Sequence, residues 1–244
     1  MNAYMSYFAL LRENLDRAEE TQADAIEQSA QCIAKCISNG GTLFTFGTGH
    51  GSLLALEIFY RAGGLAAVCP ILDENLMLHV SASESTNWER KEGFAKTLLS
   101  RYVVSAGDVL LCISNSGRNA LPIEMAQAFK ERGGTVIALT NLAHSMSSGS
   151  RAACGLRLFE VADITIDNCG VIGDAVWRDA RGRMVGPAST AVGAAILQSI
   201  VCRACEICEE TGSSADFFMS SNIDGGDAVN AKLIEKYKKR ISIL

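Results

Sequence analysis

The sequence predicts an α/β fold: a doubly wound five-stranded parallel sheet preceded by an N-terminal helical arm. Three observations carry this expectation. Short apolar runs of strand length alternate with helical patterns from residue 42 to residue 209, as parallel βαβ units require. Two of those runs open into loops rich in glycine and hydroxyl residues. No internal repeat or linker divides the 244 residues, which suffice for one large core without staples. The arm is assigned to residues 1–39 and the sheet domain, with C-terminal helices, to residues 40–244.

In the arm, Tyr4, Phe8, Leu11, Leu15 and Ala18 form one apolar stripe, and Ile26, Ala30, Ile33 and Ile37 another. Asn39-Gly40-Gly41 is a C-terminal stop signal. The arm carries no chemistry, so it is expected to pack against the domain or a second subunit.

Residues 42–46 are the first strand, followed by Gly47-Thr48-Gly49-His50-Gly51-Ser52 and a helix over 53–62 that Gly63-Gly64 stops. Residues 65–71 are the second strand, 72–87 a loop-rich segment containing His79, and 88–103 a helix. The third strand, 109–113, leads into Ser114-Asn115-Ser116-Gly117-Arg118-Asn119 and a helix over 121–132. Strands over 135–140 and 162–167, a long loop to 187, a helix over 189–209 and a polar tail with a basic helix complete the chain.

In the sheet order 2-1-3-4-5 the switch point lies between the first and third strands, and ligands bind at their carboxyl ends. Those two strands carry the Gly47–Ser52 and Ser114–Asn119 loops. Two hydroxyls, a carboxamide and free backbone N–H groups at a helix start make an anion site, with phosphate the usual anion.

Composition narrows the partners. Net charge is −5, and Lys or Arg cluster only at 236–240, which argues against nucleic acid. No basic segment followed by an apolar one opens the chain, and no apolar run approaches the roughly 20 residues of a membrane span. A soluble, cytoplasmic protein with no membrane association is expected. Of nine cysteines, Cys202, Cys205 and Cys208 have the spacing of an iron–sulfur ligand set but lie in a helical apolar stretch. They, with Cys32 and Cys36, are expected to pack as small apolar residues. No metal site or cofactor is expected.

Gly47-Thr48-Gly49, Ser114-Asn115-Ser116-Gly117-Arg118 and Glu160-Val161-Ala162-Asp163 resemble the sugar isomerase (SIS) domain, a flavodoxin-like phosphosugar-binding fold. The resemblance spans roughly residues 30–210. The run from Gly47 through Phe59-Tyr60-Arg61-Ala62-Gly63-Gly64 to Asp224-Gly225-Gly226-Asp227 is similar to a subgroup carrying the phosphoheptose isomerase label. The resemblance implies that Ser114, Asn115, Ser116 and Asn119, in the loop with Gly117, hold a phosphate. Thr48 and the amides of Gly47 and Gly49 then face sugar or phosphate, and Ser189 and Thr190 close over the ligand. One departure stands out: where the family places serine, this chain has Gly51, with Ser52 one residue later.

Aldose–ketose isomerisation through an enediolate needs a base and a ring-opening acid. Glu57, alone among Leu53, Leu54, Leu56, Ile58, Phe59 and Tyr60, is expected on a buried helix as the base, or else in an i, i+4 pair with Arg61. His79 is the candidate acid and His50 a ligand contact, while His144 and Glu89 read as a surface loop residue and a solvated helix start. The leading expectation is a ketose–aldose sugar-phosphate isomerase, with a lyase or deglycase close to it. The alternative is a non-catalytic phosphosugar sensor. A dinucleotide enzyme, suggested by Gly47-x-Gly49 and Asp73, ranks last because Ser52 breaks that fingerprint. A homo-dimer or homo-tetramer is expected from the apolar helix and the arm.

Overall fold

The computed structural model describes residues 2–244. Helices α1 (Ala3–Thr21) and α2 (Ala23–Ser38) form the arm, with Asn2 capping α1 through its side chain. The sheet contains β1 (Leu43–Gly47), β2 (Val68–Pro70), β3 (Val109–Ile113), β4 (Thr135–Thr140) and β5 (Ile164–Asp167). Its order is β2-β1-β3-β4-β5, and every pairing is parallel. The connecting helices are α3 (Gly51–Glu57), α4 (Ala82–Glu89), α5 (Phe94–Leu99), α6 (Ala120–Glu131), α7 (Leu142–Met146) and α8 (Leu158–Val161). A hairpin, β6 (Ala175–Arg178) with β7 (Met184–Pro187), precedes α9 (Ser189–Glu210) and α10 (Gly226–Tyr237).

Residue period two along each strand divides the core into two layers. Leu43, Val109, Leu111, Ile137 and Leu139 pack against Ile33 of α2 and Ile196, Leu197 and Val201 of α9. Phe44, Leu110, Cys112 and Val136 pack on the other face against Leu98, Leu99, Leu121 and Phe129. The Phe44 and Phe129 rings meet edge-on with centroids 5.5 Å apart. Because α2 is part of the first layer, the arm is built into the core rather than attached to it.

Several boundaries depart from the sequence expectation for local reasons. α3 stops at Glu57 instead of running to 62, because the chain turns away to join the C-terminal segment. There Gly63 N donates to Phe218 O at 2.8 Å, and Leu65 bridges Phe217. β2 is correspondingly short. The polar stretch expected as loop contains α4, capped by Ser81 accepting from Glu84 N; its Ser, Thr and Asn content masked a helix. The helix expected over 88–103 is interrupted by Gly93 at φ 77°. β5 begins at Ile164, two residues later than expected, because Ala162 is the C-cap of α8, and the long loop to 187 holds the β6–β7 hairpin.

Two further corrections concern apolar surface. α9 is long and apolar enough to cross a membrane by length and composition, contrary to expectation, but Val192, Ile196, Leu197, Ile200 and Val201 are buried in the core. Of the three cysteines spaced along it, only Cys208 is buried, Cys205 is half-buried and Cys202 is exposed. α3 is not buried all round: Leu54 and Ala55 are inside, whereas Leu53 and Leu56 are exposed, as is Tyr60 in the turn after it.

Candidate functional site

A cavity of about 420 Å³ opens at the carboxyl ends of β1 and β3, at the switch point of the sheet. Both glycine- and serine-rich loops border it, through Thr48, Gly49 and His50 on one side and Ser114, Asn115, Ser116 and Asn119 on the other. Its size suits a sugar phosphate. Ser189 and Thr190, at the start of α9, complete the wall.

The backbone of the two loops depends on glycine. A Cβ on Gly47 would lie 2.3 Å from Gly51 O, so only glycine lets the strand end pass the helix start. Gly117, at φ 57°, lets the 114–119 loop turn over, and its N–H donates to Ser114 Oγ at 3.2 Å. These two glycines shape the site without lining it. Ser52 is also turned away: it is buried, and its hydroxyl donates to Gly49 O at 2.6 Å. Ser52 therefore braces the first loop, and the departure from the family pattern leaves Thr48 and His50 as that loop's side chains on the cavity.

The 114–119 loop is held from below. Asn115 O accepts from Asn141 N at 3.1 Å, and Asn115 Oδ1 accepts from Asn168 Nδ2 at 2.8 Å. Asn119 is the N-cap residue of α6, whose first-turn N–H groups lack intrahelical partners and lie where the loop ends. The start of α9 is different. Asp174, at φ 71°, accepts from Ser189 N at 2.9 Å, Ala188 N at 3.3 Å and Ser189 Oγ at 2.6 Å. A carboxylate already occupies that helix end, so an incoming anion is directed to α6.

The ionisable groups on the wall are His50, Glu89, His144 and Asp174. Glu89 ends α4 and is half-buried there, not part of a solvated helix start. His144, on α7, also lines the cavity instead of lying on a free surface loop. Gly173 N donates to His144 Nδ1 at 3.0 Å, which leaves Nε2 to carry the proton of the neutral ring. The two residues expected to be catalytic lie elsewhere. Glu57 is half-buried off the cavity wall, ion-paired with Arg61 and accepting from Gln198 Nε2 at 3.3 Å. His79 is exposed beside the wall residue Leu78. Sequence reasoning also missed Asn168, just past the expected fifth strand, and Asp174, which comes from a stretch read as loop.

The SIS domain family model matches residues 6–141. A UPF0309 protein of Listeria monocytogenes serotype 4b (strain CLIP80459) is 41% identical over 245 residues, covering 100% of this chain and 98% of that one. The chain belongs to the SIS domain family, among its UPF0309 members. A phosphoheptose isomerase from Francisella tularensis has the same fold, with a TM-score of 0.55 and 16% identity over 84% of this chain and 98% of that chain. So has the Vibrio vulnificus NanR protein complexed with ManNAc-6P, with a TM-score of 0.51 and 16% identity over 100% of this chain and 70% of that chain. The β6–β7 hairpin, Asp174 and α9 lie beyond the segment that the family model matches.

Proposed function

We propose that this chain binds a phosphorylated sugar in the switch-point cavity and interconverts its ketose and aldose forms. The observation that carries the reading is one cavity combining the α6 anion loop with proton-transfer groups. The phosphate sits on Ser114, Ser116 and the first turn of α6, with Asn115 and Asn119 fixing the loop. The sugar then extends toward Thr48, His50, Ser189 and Thr190. As the ring opens, the Glu89 carboxylate relays the anomeric hydroxyl proton to the ring oxygen, which His144 Nε2–H holds by a hydrogen bond. Glu89 removes the proton from the carbon beside the carbonyl, forming an enediolate, and returns it to the neighbouring carbon, while the hydroxyl proton moves between the two oxygens. No other group need change its protonation state across the cycle.

Glu57 supports a second reading. Its carboxylate is tied to Arg61 away from the cavity, so the base that the sequence singled out is not in place within one chain. A phosphosugar sensor needs the anion site alone, and NanR, in complex with ManNAc-6P, has this fold. The deciding experiment is NMR-monitored exchange of sugar C1 and C2 hydrogens with deuterated water across a panel of ketose and aldose phosphates. Exchange abolished by Glu89→Gln but retained by Glu57→Gln supports the assignment; the reverse moves the base to Glu57. Tight binding without exchange in the unmodified protein establishes the sensor.

A further inference from the structure

Three arginines stand beside the anion loop, and neither the phosphate nor the proton-transfer groups account for them. Arg118 lies within the loop, and its carbonyl accepts from Arg151 N at 2.7 Å. Arg151 Nη1 donates to Asn119 Oδ1 at 3.1 Å, while Arg118 Nε donates to Gly149 O at 3.0 Å. Arg90 follows the wall residue Glu89, and its turn is tied to the same segment by Ala153 N donating to Glu92 Oε1 at 2.7 Å. The loop, the end of α4 and the 149–153 segment thus bring three arginines together beside Asn119 and Glu89, outside the cavity wall itself.

Among the described residues none of the three forms an ion pair, although the chain carries net charge −5 and pairs Arg61, Arg101, Arg157, Arg183, Arg203 and Arg240 with carboxylates. Arg151 is held below its usual pKa by desolvation first and then by Arg118 and Arg90, with Glu89 opposing. Like charges gathered without partners cost stability unless something else neutralises them. The terminal nitrogens of Arg118 and the whole guanidinium of Arg90 have no hydrogen-bond partner among the described residues. Such forks match carboxylate and phosphate oxygens in pairs.

We propose that Arg90, Arg118 and Arg151 bind a second anionic group on the ligand, so that the substrate class is a phosphosugar carrying a second phosphate or a carboxylate. The inference rests on the phosphosugar reading and narrows it. The α6 loop takes one anion, and the arginine rim takes the other across Asn119.

Calorimetric titration with fructose 6-phosphate, fructose 1,6-bisphosphate and 6-phosphogluconate tests this on the unmodified protein and on the Arg90→Gln/Arg118→Gln variant. The unmodified protein is expected to bind one of the two probes that carry a second anionic group about tenfold or more tightly than the monophosphate, from the added charge-assisted hydrogen bonds. Whichever probe gains identifies the second group as phosphate or carboxylate. In the variant that ratio should fall to about one, with monophosphate affinity held within about twofold. Arg90→Gln alone, at an exposed helix end, should give an intermediate ratio. Equal affinity for all three probes in the unmodified protein overturns the second site and leaves the phosphosugar reading standing. Parallel loss of monophosphate binding in the variant also overturns it, assigning the arginines to the first phosphate. Failure of all three probes to bind overturns the phosphosugar reading and this inference together.

Discussion

Asp174 holds an aspartate in a backbone conformation that costs energy for any residue with a Cβ, and three hydrogen bonds to the start of α9 repay it. Asp174→Ala removes that cap, so stability should fall by about 1–2 kcal/mol, a lowering of Tm by a few degrees for a domain of this size. The same change removes a negative charge from the cavity, so inorganic phosphate should bind more tightly. Differential scanning calorimetry and phosphate titration check both effects, and an unchanged Tm contradicts the capping role. The cysteines give a second residue-scale prediction. Burial pushes the Cys36 and Cys69 thiols up to about 12, and Cys112 upward as well. In the unfolded chain each ionises near its usual value of about 8.5, so their contribution to stability is complete below that pH and is lost as pH rises toward 12. Maleimide labelling at pH 8 followed by peptide mass spectrometry should modify the exposed Cys154 and Cys202 and spare Cys36, Cys69 and Cys112. At this scale the Ser114–Asn119 loop was legible because an apolar run, small polar residues and a helix start follow one another directly. Asp174 and His144 were not. Their place in the cavity depends on a hairpin and a five-residue helix that no local pattern announces.

Asp108 is one of the points at which the elements are joined. Its carboxylate, 1% exposed, accepts from Thr42 N at the edge of β1, from Ser105 N before β3 and, through both oxygens, from Arg240 Nη2. The C-terminal segment after α10 is thereby fixed to the amino ends of the two strands whose carboxyl ends carry the site. Asp108→Ala leaves a partly buried guanidinium and two backbone donors without their acceptor. It should cost about 3 kcal/mol, or roughly 10 °C in Tm, measured by thermal unfolding. Binding of sugar phosphates by the remaining folded protein should be unaffected, because the cavity is at the other end of the strands. A loss below 1 kcal/mol would show that the C-terminal segment is held by its apolar contacts instead. The central strands and the major helices could be read from apolar periodicity, since β1, β3 and nearly all of β4 are buried and read as unbroken runs. Elements whose stability comes from caps and tertiary contacts could not. α4 is amphipathic only weakly and mostly polar, so its helix, and with it the position of Glu89, emerges only when Ser85 donates to Leu76 O at 2.8 Å and α4 seats on the turn before it.

At the scale of the whole molecule, apolar surface remains uncovered in two places. On α3 and the turn after it, Leu53, Leu56 and Tyr60 are exposed; at the amino end of α1, Tyr4 and Phe8 are exposed, as are Met184 and Val185 on the hairpin that α1 touches. Scattered apolar residues are ordinary on a surface, but successive exposed positions on one helix flanked by an ion pair resemble a contact face. We therefore expect a homo-oligomer in which α3 packs against a second copy, a symmetric face being the simplest closed arrangement. Glu57 lies on the same helix as Leu53 and Leu56, so such packing would bring it into the interface. The prediction has two parts. Light scattering at micromolar concentration should return a mass at least twice that of the chain, and Leu53→Glu with Leu56→Glu should return a monomer. If Glu57 then takes part in the reaction, Glu57→Gln should slow hydrogen exchange in the assembled protein, and the monomeric double variant should be slow already, with sugar-phosphate binding retained in both. A monomer mass for the unmodified protein contradicts the assembly. An active monomer confines the chemistry to the cavity of one chain and to Glu89.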